Sequence, residues 1–147
     1  MASDLKVDID GSRLNVRVGA IIRHNDNIVI EISDVGRNSV IPGGRIHINE
    51  HSSDAIVREL EEEMNYCFDK NKFIQTKVFE NFFEYDGKKF HEIYFLYEYV
   101  LSDKEYEDIK STGTNKDNAT THFEFVSKFE MLKYNVLPLE LHPIIEK

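Results

Sequence analysis

Apolar and polar residues alternate through Leu14, Val16, Val18, Ala20 and Ile22, the period of a half-buried strand. The polar run 24–27 predicts a turn into residues 28–32, giving a hairpin. Residues 34–38 read as a second turn, and Val40 and Ile41 as a short strand. That strand runs into Pro42-Gly43-Gly44, which predicts an irregular turn. From Ser52 the period changes. At about 100° per residue, Ile56, Val57, Leu60 and Met64 form one apolar stripe, so a helix is expected there. Ser52 is its expected N-cap, and Asp54 in the first turn suits the positive end of the helix dipole. Residues 73–85 and 90–101 are rich in aromatic and β-branched side chains and flank Asp86-Gly87, a strong hairpin signal. Residues 102–121 are polar and predict a loop over the site, with a short helix at 104–110. Residues 123–126 predict a closing strand, and 129–132 and 139–145 short helical pieces. Strands, one central helix, more strands and a terminal helix make an α+β domain with a mixed sheet covered by helices.

At 147 residues the chain is expected to be a single domain, 1–147, with a sizeable core. Ten Phe and seven Tyr supply that interior. Cys67 is the one cysteine, so no disulfide can form within the chain, which suits a reducing cytosol and a cytoplasmic protein. No leader-like apolar segment opens the sequence and no run approaches membrane-spanning length, so no membrane partner is expected. The net charge of −9, without a Lys/Arg cluster, argues against nucleic acid polymers as partners.

The candidate chemistry lies in the helix. Glu59, Glu62 and Glu63 stand at i, i+3 and i+4 and gather on one face, roughly 120° from the apolar stripe. Ala55 falls within that face and leaves room for ions. Like charges so close destabilise a helix unless a cation binds there. Hard divalent cations such as Mg²⁺ take oxygen ligands and sit between carboxylates and substrate phosphates. Arg58 is placed to orient the acids by charge-assisted hydrogen bonds, and a carbonyl of the Gly-Gly turn could approach a metal. Acidic runs on amphipathic helices are usually solvated faces. The fixed spacing from Gly44 to Glu50, to Arg58-Glu59-Leu60 and to Glu62-Glu63 sets this one apart.

That spacing resembles the Nudix box, G-x5-E-x7-R-E-U-x-E-E-x-G-U, with U a bulky apolar residue. Gly44, Glu50, Arg58, Glu59, Leu60, Glu62 and Glu63 match it. Tyr66 fills the last apolar position loosely and Asn65 replaces the glycine. Asn is the next residue to tolerate the left-handed conformation of a helix C-cap, so the substitution touches helix termination rather than ligation. The resemblance implies a Nudix-like α/β/α sandwich around a central catalytic helix, similar to the MutT-like hydrolases. It implies Mg²⁺- or Mn²⁺-dependent hydrolysis of a small-molecule nucleotide, a nucleoside diphosphate linked to another moiety. Modified nucleoside triphosphates, ADP-ribose and nucleotide sugars are all candidate substrates. Glu59, Glu62, Glu63 and the Gly44 carbonyl would ligate metal, Arg58 would hold the carboxylates, and Glu59 is the first candidate for the base. Glu50 is expected to orient the loop or Arg58. A homodimer is an allowed assembly. A catalytically idle nucleotide-binding module and an interaction domain with a merely solvated acidic helix are the alternatives.

Weaker candidates lie elsewhere. Glu92, His91, His122, Glu105, Glu107 and Asp117 could add ligands or contact phosphate, although surface pairs and solvated acids account for them as well. Phe82, Phe83, Tyr94 and Tyr97 could stack a nucleobase, although alternating strand aromatics more often fill a core.

Overall fold

The long alternating segment near the N-terminus becomes the centre of a nine-stranded sheet in the computed structural model, which describes residues 3–36, 38–110 and 120–147. The strands are β1 (Lys6–Ile9), β2 (Ser12–His24), β3 (Asn27–Ser33), β4 (Ser39–Val40), β5 (Gly43–Arg45), β6 (Ile74–Tyr85), β7 (Lys88–Val100), β8 (Thr121–Ser127) and β9 (Val136–Leu137). The helices among the described residues are α1 (Ser52–Met64), α2 (Asp103–Lys110) and α3 (His142–Ile145), with 3₁₀ turns at Lys70–Lys72 and Leu139–Leu141. Along one edge β2 runs parallel to β7, from Arg13 opposite Phe90 to Arg23 opposite Val100, and β6 completes that side. Its other edge is shared in turn by β1, β5 and β3. The sheet is therefore mixed and curled, an α+β fold.

Because β2 is central, it is buried on both faces rather than one. Val18, Ala20 and Ile22 pack with Ile56, Leu60 and Met64 of α1 and with Tyr97 and Tyr99. Ile21 packs on the opposite face with Tyr94, Leu96, Met131, Leu141 and Ile145, so the C-terminal segment covers the second layer. Complete burial of a Leu or Ile is worth roughly 1.5–3 kcal/mol, so these two layers dominate the stability.

Several local expectations change in tertiary context. Gly43–Arg45 is a strand paired to Arg17–Gly19, not an irregular turn. A Cβ on Gly43 would lie 2.1 Å from the Val18 carbonyl oxygen, so a side chain there would wedge the two strands apart. Ser52 is not the cap. His51 takes that place in extended geometry, without a side-chain bond, and Ser52 Oγ lies 2.7 Å from the Tyr97 hydroxyl. Ala55 is fully buried in the α1 core layer rather than among the carboxylates. Residues 129–132 form turns, not a helical piece. The strands β1 and β9 were not anticipated, although Asp10-Gly11 turns β1 into β2 with positive φ at both residues, as Asp86-Gly87 does for β6 and β7. Asn65 does end α1 in the left-handed region, φ 52° and ψ 43°, and its N–H donates to the Glu61 carbonyl.

The expected helix at 104–110 is α2, and Glu105 fastens it down. That carboxylate accepts from Lys72, from the Tyr99 hydroxyl and from the Ser102 N–H. Burial alone would push its carboxyl up, but these bonds outweigh it and hold the group down at about 2. The remainder of the expected loop, 111–119, lies outside the described residues. No helix among them is long and apolar enough to cross a membrane.

Candidate active site

Arg58 is the node on which the acidic face of α1 is built. Its Nε and Nη2 donate to the two oxygens of Glu50 at 2.8 and 2.9 Å, a bidentate pair. Nη2 also donates to the Arg45 carbonyl at 3.1 Å, tying the helix to β5. Nη1 donates to Glu59 at 3.0 Å and, more weakly, to Glu62 at 3.4 Å. Glu50 closes the loop before the helix by accepting the His47 N–H at 2.9 Å. The Arg58 bonds hold the Glu50 carboxyl below its ordinary range despite burial, and those same bonds raise the guanidinium.

Gly44 shows why a glycine is required on the strand above. A Cβ at that position would sit 2.4 Å from the Glu59 carboxyl carbon and from one of its oxygens. The Glu59 carboxylate therefore fills the space that any side chain at residue 44 would take. Burial raises the Glu59 carboxyl above its usual range, and Glu62 pushes the same way, against the Arg58 guanidinium and a hydrogen bond with Glu63. Glu63 is buried at 6% exposure, whereas the Glu62 side chain is 47% exposed and faces the outer groove with Asp54, Glu61 and Asn65. The donor set, three carboxylates beside a strand carbonyl, suits a hard divalent cation. Among the described residues no three acids, histidines or thiols are already disposed around one point to hold a metal. Arg58 instead neutralises Glu59 and Glu62 directly, so loading a cation would require these carboxylates to turn from it.

On the other side of the sheet lies a cleft of about 590 Å³. Its floor carries Arg17, Asn81, Glu92 and Tyr94. Val40, Ile41 and the segment 137–140 form one wall, and Phe83 and Tyr85 form the other. Tyr94 in the cleft lining is within the electrostatic reach of both regions. Burial pushes its hydroxyl well up, with Arg17 lowering it and Glu92 and Glu63 adding to the rise, so a helix acid and two cleft charges all act on one buried phenol. Gly19 permits the approach, since a Cβ there would fall 2.0 Å from the Tyr94 oxygen.

The remaining candidates separate cleanly. Glu92 and Phe83 line the cleft, and Phe82 lies at its mouth. Tyr97 belongs to the α1 core. His91 bonds Glu80 on the exposed surface, His122 bonds Asp34 and Glu124, and Glu107 pairs with Lys110, so none of these three meets the cluster. Glu105 is consumed in fastening α2. Asp117 lies outside the described residues. Arg17 and Asn81 had not been singled out. Their signal was the polar phase of two strands, which reads as a solvent face until the C-terminal segment is known to roof it.

The profile of the NUDIX domain matches residues 13–144. No curated protein matches the chain at a significant level. Among solved structures it is similar to the MutT protein of Methanosarcina mazei Go1, with 19% identity, a TM-score of 0.60 and coverage of 95% of this chain and 94% of that one. It is also similar to the MutT protein of Bacillus halodurans, with 15% identity, a TM-score of 0.61 and coverage of 90% and 80%. The C. elegans Ap4A hydrolase is 14% identical, with a TM-score of 0.59 and coverage of 90% and 93%. At these identities the likeness to solved structures shows the fold.

Proposed function

Since the chain belongs to the NUDIX domain family, we propose that it is a divalent-metal-dependent hydrolase cleaving the diphosphate linkage of a nucleoside diphosphate joined to another moiety. Modified nucleoside triphosphates are among its candidate substrates. The observation that carries this reading is the seating of the Glu59 carboxylate in the space left by the missing Cβ of Gly44, with Arg58 braced by Glu50 behind it. A solvated acidic face needs neither.

In this reading Glu59, Glu62, Glu63 and the Gly44 carbonyl hold Mg²⁺ or Mn²⁺. When bound, such a cation neutralises diphosphate oxygens and makes water a better nucleophile near neutral pH. The chain's own residues do the rest. Arg58, fixed at three points by Glu50 and the Arg45 carbonyl, keeps Glu59 under Gly44 and restrains Glu62. Glu59, whose carboxyl burial has raised, is the acid best placed to accept a proton from attacking water. Arg17, in the cleft lining beside Glu92, supplies positive charge to a polyanion entering the cleft. The curled sheet and the 137–140 wall hold the organic part of the substrate against β6 and β7 and exclude water from it. Positioning and charge stabilisation of this kind account for most catalysis in phosphoryl transfer.

The test is Mg²⁺-dependent turnover across nucleoside triphosphates, their oxidised forms, nucleotide sugars, ADP-ribose and dinucleoside polyphosphates. At least one member is expected to be hydrolysed, and Glu62→Gln to slow it by about 10²-fold or more. Absence of turnover with either metal, in a folded protein that still binds a nucleotide, would leave a binding module in place of the enzyme.

A further inference from the structure

The cleft floor holds an acidic group that the reaction itself does not use. Glu92 is 6% exposed, yet it lines the cleft. One carboxylate oxygen, Oε1, accepts from Asn81 Nδ2 at 3.2 Å. The other, Oε2, faces the Arg17 Nε at 3.8 Å, beyond hydrogen-bond reach. A carboxylate accepts only, so the amide nitrogen of Asn81 must be the atom turned toward it, which leaves Asn81 Oδ1 as a second acceptor. Oε2 is not sealed from the cleft, so it is an acceptor open to a donor from a ligand. The floor therefore offers two adjacent acceptors on neighbouring strands, with the Arg17 guanidinium beside them.

The walls describe the shape of what would supply those donors. Phe83 is partly exposed and stacks on Phe90 with centroids 4.8 Å apart and planes within 5°. Leu137 and Leu139 line the same cleft. A flat apolar slot with a polar floor suits a planar ring whose edge points down.

We propose that Glu92 and Asn81 are the specificity-determining pair of this site and select a nucleobase bearing an exocyclic amino group over its oxo counterpart. This rests on the nucleotide hydrolase reading and sharpens its substrate class. The amino hydrogens meet Glu92 Oε2 and Asn81 Oδ1, while the diphosphate extends past Arg17 toward Glu59 and Glu63. A ring that presents a carbonyl oxygen at the same place meets a carboxylate and is repelled.

The experiment is equilibrium binding of the α,β-methylene analogues of CTP, UTP, ATP and ITP with Mg²⁺, alongside KM and kcat for the hydrolysable forms. Each amino member, CTP or ATP, is expected to bind about tenfold or more tightly than its oxo partner, UTP or ITP, since a site built around a substrate N–H discriminates strongly against analogues lacking it. In Glu92→Gln, Asn81 still donates to the side-chain oxygen. The new amide nitrogen then falls where Oε2 was, exchanging an acceptor for a donor, and the preference is expected to collapse to within about twofold or to invert. Asn81→Ala is expected to reduce the same ratio, and it carries the test if Glu92→Gln fails to fold. The change belongs in KM and in analogue affinity. A loss confined to kcat with the ratio intact would place Glu92 in the chemistry and overturn its role in selection, as would equal binding of both members of each pair. Turnover without amino preference sinks this inference alone. Amino-selective binding without turnover of any substrate sinks the hydrolase reading alone.

Discussion

Two half-buried glutamates, one on α1 and one on α2, show opposite uses of the same side chain. Glu105 on α2 is saturated by Lys72, Tyr99 and Ser102, and those bonds overcome burial to keep it ionised down to about pH 2. Glu59 on α1 is half-buried as well, but it shares one arginine with Glu50 and Glu62, and desolvation prevails, so its carboxyl is raised. A carboxylate that fastens structure is given every donor it can accept. Glu59, the proposed catalytic carboxylate, is left with fewer donors, its arginine already divided among its neighbours.

The largest break in this contrast comes from removing that shared arginine. Arg58→Ala strands Glu50 and Glu59 in a partly buried setting and is expected to cost about 3 kcal/mol, read as a fall in the urea midpoint, with activity lost as well. Next is Gly44→Ala. Its Cβ displaces the Glu59 carboxylate, and a shift of that kind is expected to reduce kcat by about 10²-fold while the protein stays folded by circular dichroism.

The two acids themselves give the third and sharpest comparison. The Glu105 carboxyl is lowered on folding, so its stabilisation is present above the unfolded range near about 4.3 and is lost as pH falls toward about 2. Glu105→Gln is therefore expected to cost about 2 kcal/mol at neutral pH and nothing below pH 2, tracked by denaturant melts over that range. Glu59 is raised instead, so whatever stability its carboxyl adds is present at low pH and lost as pH rises through the raised value. In metal-free buffer at neutral pH, Glu59→Gln is expected to leave the melting temperature unchanged or higher, the reverse of Glu105→Gln. A matching loss in both would remove the distinction between the two acids. The smallest effect lies at the helix exit. Asn65→Gly relieves a left-handed φ of 52° and is expected to add about 0.5 kcal/mol without altering turnover.

Much of this was legible along the chain. The β2–β3 and β6–β7 hairpins, the helix, its left-handed end at Asn65 and the spacing of Gly44, Glu50, Arg58 and the three glutamates are local patterns, written within a few turns or strand repeats. What failed was also local in form but decided by distant partners. Ser52 lost the cap because Tyr97 claimed its hydroxyl, and Ala55 left the carboxylate face because the sheet lay closer than helix angles alone could tell. Gly43–Arg45 became a strand because Arg17–Gly19 offered it a ladder.

The sequence by itself determined the periodicities, the turn residues and the family to which this chain belongs, since each depends on one short continuous stretch of chain, the longest being Gly44 to Tyr66. The tertiary structure alone decided which polar residues look into a cleft. Arg17, Asn81 and Glu92 occupy the same alternating phase as any solvent-facing residue. Their surroundings come from β4 and the 137–140 segment, dozens of residues away in the chain, and no spacing rule carries contact over that distance. Burial is a property of everything that packs around a residue, and so is the chemistry that burial sets.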